Sequence, residues 1–477
     1  MNLNINKELS VLIFGRFIQI LIMLVALKVS TSLLSPSAIG NLYLILSIYS
    51  FFGFFFISPI GQYINRKTHE WHKNGLLLSK LYNYNYYVLI ASSISVLVII
   101  VIHHLGIANG INYTLLILFM PVYVFFNTWN QTIIPMVNML EKRKEFTIMT
   151  ILTLIIALAF SYILVEWYEK SGIFWFLGQI FGSIIMTIVS FIYFNKNIDN
   201  KIDFALAHSW IRFEYVKSIL IFAVPLAISV FFLWMQNQSY RIVIEKNIGA
   251  DFLGYFGVGM AIAIAISSSF EAIIMQFIYP KLYKSMNSDK EFNNSFHNTI
   301  NLILPIYLLL AIFISFSAEY LVAILVDVKY YSSYVFVIFG IWVEFFRISS
   351  NLLSTIAHSK MQTFSLILPY SIGGLVLLGG VLYVSKIDTY ATAIPFVLVF
   401  AGILTFAFMY FQMNKIIKIK IEFSNIFRVI IYSLGFVPFI FFYDFSEKVT
   451  YSLLFVVGGG FYFLFLLNKL VKKSGAI

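Results

Sequence analysis

The sequence has no cysteine in 477 residues, which excludes disulfides, thiol catalysis and thiolate-held metals. It is also poor in charge. Asp, Glu, Lys and Arg make up 11% of the chain, against about a quarter of a typical soluble domain. Its seven histidines show no metal-ligand spacing. Its N-terminus, MNLNINKELSVLIFGRFIQI, lacks the basic n-region and small-residue cleavage site of a signal peptide. Long polar connections are missing as well, so a soluble catalytic domain has no place to sit.

What fills the chain is apolar. Sixty per cent of residues are hydrophobic and the mean hydropathy is +0.89, more apolar surface than a water-soluble fold can hide. Continuous runs of about 18 or more residues are long enough to cross a hydrocarbon core of about 30 Å. The alternating ten-residue strands of a membrane β-barrel are not what these runs are. The predicted fold class is an all-α polytopic membrane protein of about 14 transmembrane helices. They are expected near 9–34, 37–58, 77–104, 113–140, 146–166, 172–194, 217–238, 252–279, 298–325, 332–356, 364–384, 390–413, 427–443 and 451–468.

The net charge of +11 suggests a nucleic-acid partner only until its distribution is read. Alternate loops hold 23 of the 32 Lys and Arg residues, the opposite loops six, and Arg16, Lys28 and Arg347 fall inside helices. That bias is the positive-inside pattern; it predicts both termini in the cytoplasm and no nucleic acid. The longest connection, 195–216, follows six helices. It predicts an N-terminal six-helix bundle (1–194), a cytoplasmic linker (195–216), a second six-helix bundle (217–413) in a pseudo-twofold arrangement, and two extra helices (414–477). LSPSAIGNLY (34–43) and IGADFLGYFG (248–257) echo each other, with Ser37 and Asp251 as N-caps and Gly40 and Gly254 three residues later. A short membrane hairpin also wants a cap and a glycine without any repeat.

Charges inside the membrane are expensive and usually face a wet cavity or a partner. In the tenth helix Glu344, Arg347, Asn351, Ser354, Thr355 and His358 share one stripe, and Glu344 and Arg347 are spaced to pair. The stripe reads either as a lumen lining or as a polar seam between helices. Asn127, Asn130, Gln131 and Asn138 share a face of the fourth helix, suited equally to a hydroxyl-rich ligand and to interhelical bonding. Pro121 and Pro135 lie in the same helix. Arg16 and Lys28 of the first helix either face a lumen or snorkel to the interface. Glu271 follows Ser267, Ser268 and Ser269 and is either a protonatable coupling site or a buried neutral carboxyl. Gly254, Gly257, Ala261 and Ala265 make a small-residue packing face, and Gly458–Gly460 mark close helix approach.

QSYRIVIEKNIGADFLGYFGVGMAIA (238–263), LSPSAIGNLYLILSIYS (34–50) and YPKLYKS (279–285) resemble elements of Wzx-type O-antigen and capsule repeat-unit flippases, within the MATE/MurJ-like (MOP) exporter superfamily. Tyr240 stands where that family often has Asp; Arg241 matches. The resemblance implies two bundles alternating in access. It implies transport of an undecaprenyl-diphosphate-linked oligosaccharide to the outer leaflet of the plasma (inner) membrane. It also implies a cationic lumen, with no cofactor beyond a coupling proton or sodium gradient. A polymerase and a chain-length regulator of the same pathway are further implied partners, beside the lipid-linked oligosaccharide and the bilayer. The substrate-binding candidates are Arg16, Lys28, Arg241, Arg347, Asn127, Gln131, Asn138 and Asn351; the ion-coupling candidates are Glu271 and Glu344. Short outer loops, about 14 residues or fewer, set it apart from membrane polymerases and glycosyltransferases, whose catalytic residues sit in a large loop. No enzymatic activity is expected. A multidrug or a peptidoglycan-precursor exporter of the same superfamily is the main alternative, with a membrane polysaccharide polymerase or glycosyltransferase behind it.

Overall fold

The computed structural model describes residues 2–198, 202–204, 207, 213–285, 288–360, 362–445 and 449–473. Residues 199–201, 205–206 and 208–212 of the expected linker 195–216 lie outside them, as do most side chains of YPKLYKS. Fourteen long helices and no strand occur among the described residues. They are α1 (Asn2–Leu33), α2 (Pro36–Lys73), α3 (Leu77–His104), α4 (Tyr113–Met139), α5 (Arg143–Trp167), α6 (Gly172–Asn197) and α7 (Phe213–Asn247). They continue as α8 (Ala250–Ser285), α9 (Asp289–Leu325), α10 (Tyr334–Ser359), α11 (Ile367–Val384), α12 (Tyr390–Ile416), α13 (Phe423–Ser433) and α14 (Val449–Lys473). Among the described residues, thirteen spans are long and apolar enough to cross a membrane; α4 falls outside that set because its amides dilute its apolar run. The chain is a multi-pass membrane protein.

Several boundaries differ from the sequence reading, among them the start of α1 and the end of α8, and four of the differences have a local reason. α2 runs on past residue 58 to Lys73, its last turns being an amphipathic stretch that places Arg66 and Lys67 on the helix rather than in a loop. Its middle, Phe52–Ile57, is a π-helix in which Ser58 N–H reaches Gly53 O. The wider ring absorbs Pro59, which an uninterrupted α-helix would resist. α7 continues to Asn247, so Arg241 lies inside it rather than at its end. α9 begins at Asp289, a polar extension outside the apolar core. α13 stops at Ser433 and passes into a 3₁₀ segment, Leu434–Phe445, where Gly435 and Pro438 disfavour the α ladder.

The chain falls into two compact units, 1–254 and 255–477. In the first, α5 packs on α6 through Gly178 and Gly182, where an added Cβ would strike Ser161 and Ala157. Small residues at this spacing let backbones approach closely. α4 packs on α3 and α6, and α2 lies against α6 and α7. A cluster including Leu77, Leu81, Trp129, Ile133 and Phe194 fills the space among α2, α3, α4 and α6. In the second unit, α9 packs on α10, α13 and α14, and α12 on α10 and α11. Gly340 of α10 admits Ala263 and Met260 of α8.

The two echoing motifs meet. A Cβ on Gly40 would strike the Ala250 carbonyl, and a Cβ on Gly254 the Pro36 carbonyl. The same sequence offset relates Gly40 to Gly254 and Pro36 to Ala250, so each motif receives from the other the contact it makes. The caps differ from expectation. Ser35, not Ser37, accepts from Ala38 N–H, because Pro36 needs no partner for a missing N–H at the first helical position. Asp251 lies in the first turn of α8 rather than ahead of it. Of the three glycines at 458–460, only Gly459 is closely approached, by Phe439 and Phe313.

Gly40→Ala and Gly254→Ala each force a methyl into a facing carbonyl, an overpacking of about 1–3 kcal/mol. Both are expected to lower the melting temperature of the detergent-purified protein. Gly458→Ala and Gly460→Ala, with nothing within 4 Å, are expected to leave it unchanged.

Candidate functional site

Two polar constellations stand out, one in each unit. In the second unit, α10 carries Glu344 and Arg347 one turn apart, and α8 brings Ser267 and Glu271 to the same point. Arg347 Nε donates to Glu344 Oε1 at 3.0 Å and Oε2 at 2.9 Å. Its Nη2 donates to Glu344 Oε2 at 2.7 Å and to Glu271 Oε2 at 3.1 Å. Ser267 Oγ donates to Glu344 Oε2 at 2.8 Å. The Glu344 side chain is 4% exposed, against 19% for Glu271 and 20% for Arg347. With both carboxylates ionised, the cluster carries one net negative charge. Arg347 is therefore held by two anions rather than offered to a third. Further along the stripe, the Ser354 and Thr355 hydroxyls turn back onto their own helix, to the Asn351 and Leu352 carbonyls. Asn351 is half-buried and His358 exposed.

The first unit treats its arginine differently. Arg241 is 6% exposed. Its guanidinium lies over the Tyr43 ring of α2 at 5.4 Å and the Tyr240 ring at 5.7 Å, and Nε donates to Tyr240 Oη at 3.4 Å. No carboxylate pairs with it among the described residues. Aromatic faces attract a cation without neutralising it, so Arg241 keeps its charge and most of its five donors.

The α4 amides separate into different roles. Asn127 Nδ2 donates to Tyr49 Oη at 2.5 Å, with Gln131 beside the same hydroxyl. Ser183 Oγ of α6 donates to Asn127 Oδ1 at 3.4 Å. Tyr49 packs on Tyr123 with ring centroids 4.5 Å apart. Asn130 is buried, and its Nδ2 has no partner among the described residues. Gln131 is exposed and Asn138 half-buried. In α1, exposed Arg16 donates to the buried Gln19 at 2.9 Å; Lys28, a little over three turns beyond Arg16, is exposed. The structure thus joins Glu271, Glu344 and Arg347 in one cluster, and Asn127 and Gln131 in another. The pairing of Glu344 with Arg347 was legible from their spacing. Ser267, Tyr43 and Tyr49 were not identified as partners, because contacts across helices leave no mark in the spacing of either helix; Tyr240, adjacent to Arg241, was noted only for standing where the resembled family often has Asp.

A family model described as polysaccharide biosynthesis protein matches residues 30–335. The structure is similar to the lipid II flippase MurJ in an inward closed conformation, at a TM-score of 0.74 and 14% identity over 98% of this chain and 99% of that one. It is similar to an inward-facing multidrug resistance MATE family transporter of the MOP superfamily, at 0.56 and 14% over 83% and 94%. The Vibrio cholerae MATE transporter VcmN gives 0.54 and 12% over 86% and 95%. No curated protein matches the sequence. At these identities the likenesses show the MurJ/MATE fold.

Arg347→Met strands Glu344 as a buried unpaired carboxylate, a loss of about 3–5 kcal/mol. The single variant is expected to melt well below the wild type. Glu344→Leu combined with Arg347→Met is expected to recover most of the difference, as a double-mutant thermal-denaturation cycle would show.

Proposed function

Because this chain belongs to the polysaccharide biosynthesis protein family and has the fold of MOP-superfamily transporters, we propose that it is a lipid-linked oligosaccharide flippase. It carries undecaprenyl-diphosphate-linked repeat units from the inner to the outer leaflet of the plasma membrane by alternating access, for O-antigen or capsule assembly, with both termini cytoplasmic. The observation that carries this reading is Arg241. A buried guanidinium with aromatic but no acidic neighbours is a receptor for a diphosphate, whose oxygens it can bind bidentately. Arg16 and Lys28 extend the same charge along α1. The amides around Tyr49 offer donors and acceptors to sugar hydroxyls. The two six-helix bundles, 1–194 and 217–413, are the bodies that alternate, and helices 414–477 are additional to them.

In a strain lacking its own flippase, Arg241→Ala is expected to lower surface glycan at least about tenfold at unchanged protein level. Arg241→Lys, which keeps charge but not the bidentate fork, is expected to be intermediate. Wild-type glycan from Arg241→Ala would remove the diphosphate from this site. Rescue of a peptidoglycan-precursor flippase mutant, with no rescue of the glycan strain, would reassign the substrate.

The acidic cluster is proposed as the coupling site for a proton or sodium ion. Glu344 is saturated by Arg347 and Ser267, whereas Glu271 receives one hydrogen bond and is the more exposed carboxylate. Glu271→Gln is expected to abolish the ion-gradient dependence of flipping in reconstituted vesicles. Full gradient dependence in both Glu271→Gln and Glu344→Gln would exclude the cluster.

A further inference from the structure

Arg241 is the top of a longer stripe. Phe231, Trp234, Gln238 and Arg241 recur along α7 at i, i+3, i+7 and i+10, within about 80° of one another. All four meet α2, which runs antiparallel. Arg241 lies over Tyr43, the Gln238 carbonyl accepts from Ser47 Oγ at 2.8 Å, and Trp234 and Phe231 meet Phe51 and Phe55 lower down.

The lower end is a four-ring cluster. Phe51 and Trp234 stand edge to face at 5.1 Å, Phe231 and Trp234 lie near-parallel at 6.1 Å, and Phe51 and Phe55 stack at 5.6 Å. Phe55 and Phe231 close the set edge to face at 5.7 Å. None of the four rings is buried; each keeps part of its surface open. The Trp234 indole is fixed in direction, its Nε1 donating to Ser47 O at 3.2 Å and Ser50 Oγ at 3.0 Å. Phe51 precedes the π segment of α2 and Phe55 lies within it, the kind of local irregularity that often marks a functional position. Between the rings and the guanidinium, Gln238 Oε1 accepts no hydrogen bond among the described residues.

We propose that Phe51, Phe55, Phe231 and Trp234 form a stacking platform for the sugar rings of the transported glycan, registered by the diphosphate at Arg241. The inference rests on the flippase reading above and adds to it the place where the saccharide is held. Seven to ten residues of α7 separate Arg241 from Trp234 and Phe231, roughly 10–15 Å along the axis. Phosphate and the sugars attached to it are strung out along one line in the same way. The negative face of an aromatic ring attracts the weakly positive C–H groups of a pyranose. Pinning the indole N–H into α2 presents that ring without a mobile donor. A stripe turned only toward lipid would not continue into Gln238 and a buried arginine.

The test uses the full chain in lipid nanodiscs and two ligands: undecaprenyl diphosphate bearing an oligosaccharide, and the same lipid diphosphate without sugar. The chain has seven tryptophans, so the difference between wild type and Trp234→Phe isolates the Trp234 signal. The sugar-bearing lipid is expected to quench that signal, and the sugar-free lipid to bind without quenching it. Phe51→Leu with Phe231→Leu keeps every tryptophan and is expected to bind the sugar-bearing lipid about 5–10-fold more weakly, with the sugar-free lipid unaffected. Equal quenching by both lipids, or unchanged affinity in the double variant, would overturn the platform while leaving the flippase reading intact. Binding of neither lipid to the wild type would overturn both.

Discussion

Hydrocarbon offers no hydrogen bonds, so each polar group that enters it must be satisfied within the protein. The commonest answer here is the simplest. Ser30, Thr31, Ser92, Thr128, Thr132 and Thr405 turn their hydroxyls onto carbonyls three or four residues back in their own helices. These residues are polar in composition and apolar in effect. Helix packing then proceeds as though they were small aliphatics, with glycines such as those at 40, 178, 182, 254 and 340 allowing neighbouring elements to approach closely. Groups that cannot be silenced this way are concentrated at few places, which is why those places are informative.

The two arginines inside α7 and α10, one buried and one half-buried, show the two available solutions. Arg347 is met by carboxylates from its own helix and from α8, which locks α8 to α10 and leaves the cluster net negative when both acids are ionised. Arg241 is met by tyrosine faces, which hold it in place and leave its charge intact. One arrangement is suited to holding a cation or proton, the other to holding an anion. The α4 amides are a third case. Asn127 is used by Tyr49 and Ser183, while Asn130 Nδ2 remains unpaired among the described residues.

Much of this was legible in the sequence, and the boundary of legibility is physical. Helix number and most helix ends follow from hydropathy and length, which depend on the bilayer rather than on neighbours. The Glu344–Arg347 pair follows from spacing on one helix. The Arg241 placement did not follow. QSYRIVIEKN reads as a polar helix end, and only the cover supplied by Tyr43 turns it into a buried turn of α7. The π segment of α2 was equally hidden, since FGFFFI is as compatible with an α-helix until Pro59 and the neighbouring aromatics are placed. Ser35 displaced Ser37 as the cap because Pro36 fixed the start of the helix directly after Ser35, earlier than the sequence reading.

The uncompensated guanidinium has an electrical consequence. One elementary charge carried across the full membrane potential exchanges about 2.3 kcal/mol per 100 mV. Tyrosine faces supply no opposing charge, so any displacement of α7 along the membrane normal moves Arg241 through the field and exchanges a share of that energy. A bound diphosphate would cancel or reverse the moving charge. Voltage would then push the empty and the loaded protein in different directions, and the aromatic cradle would make the resting potential a participant in the cycle.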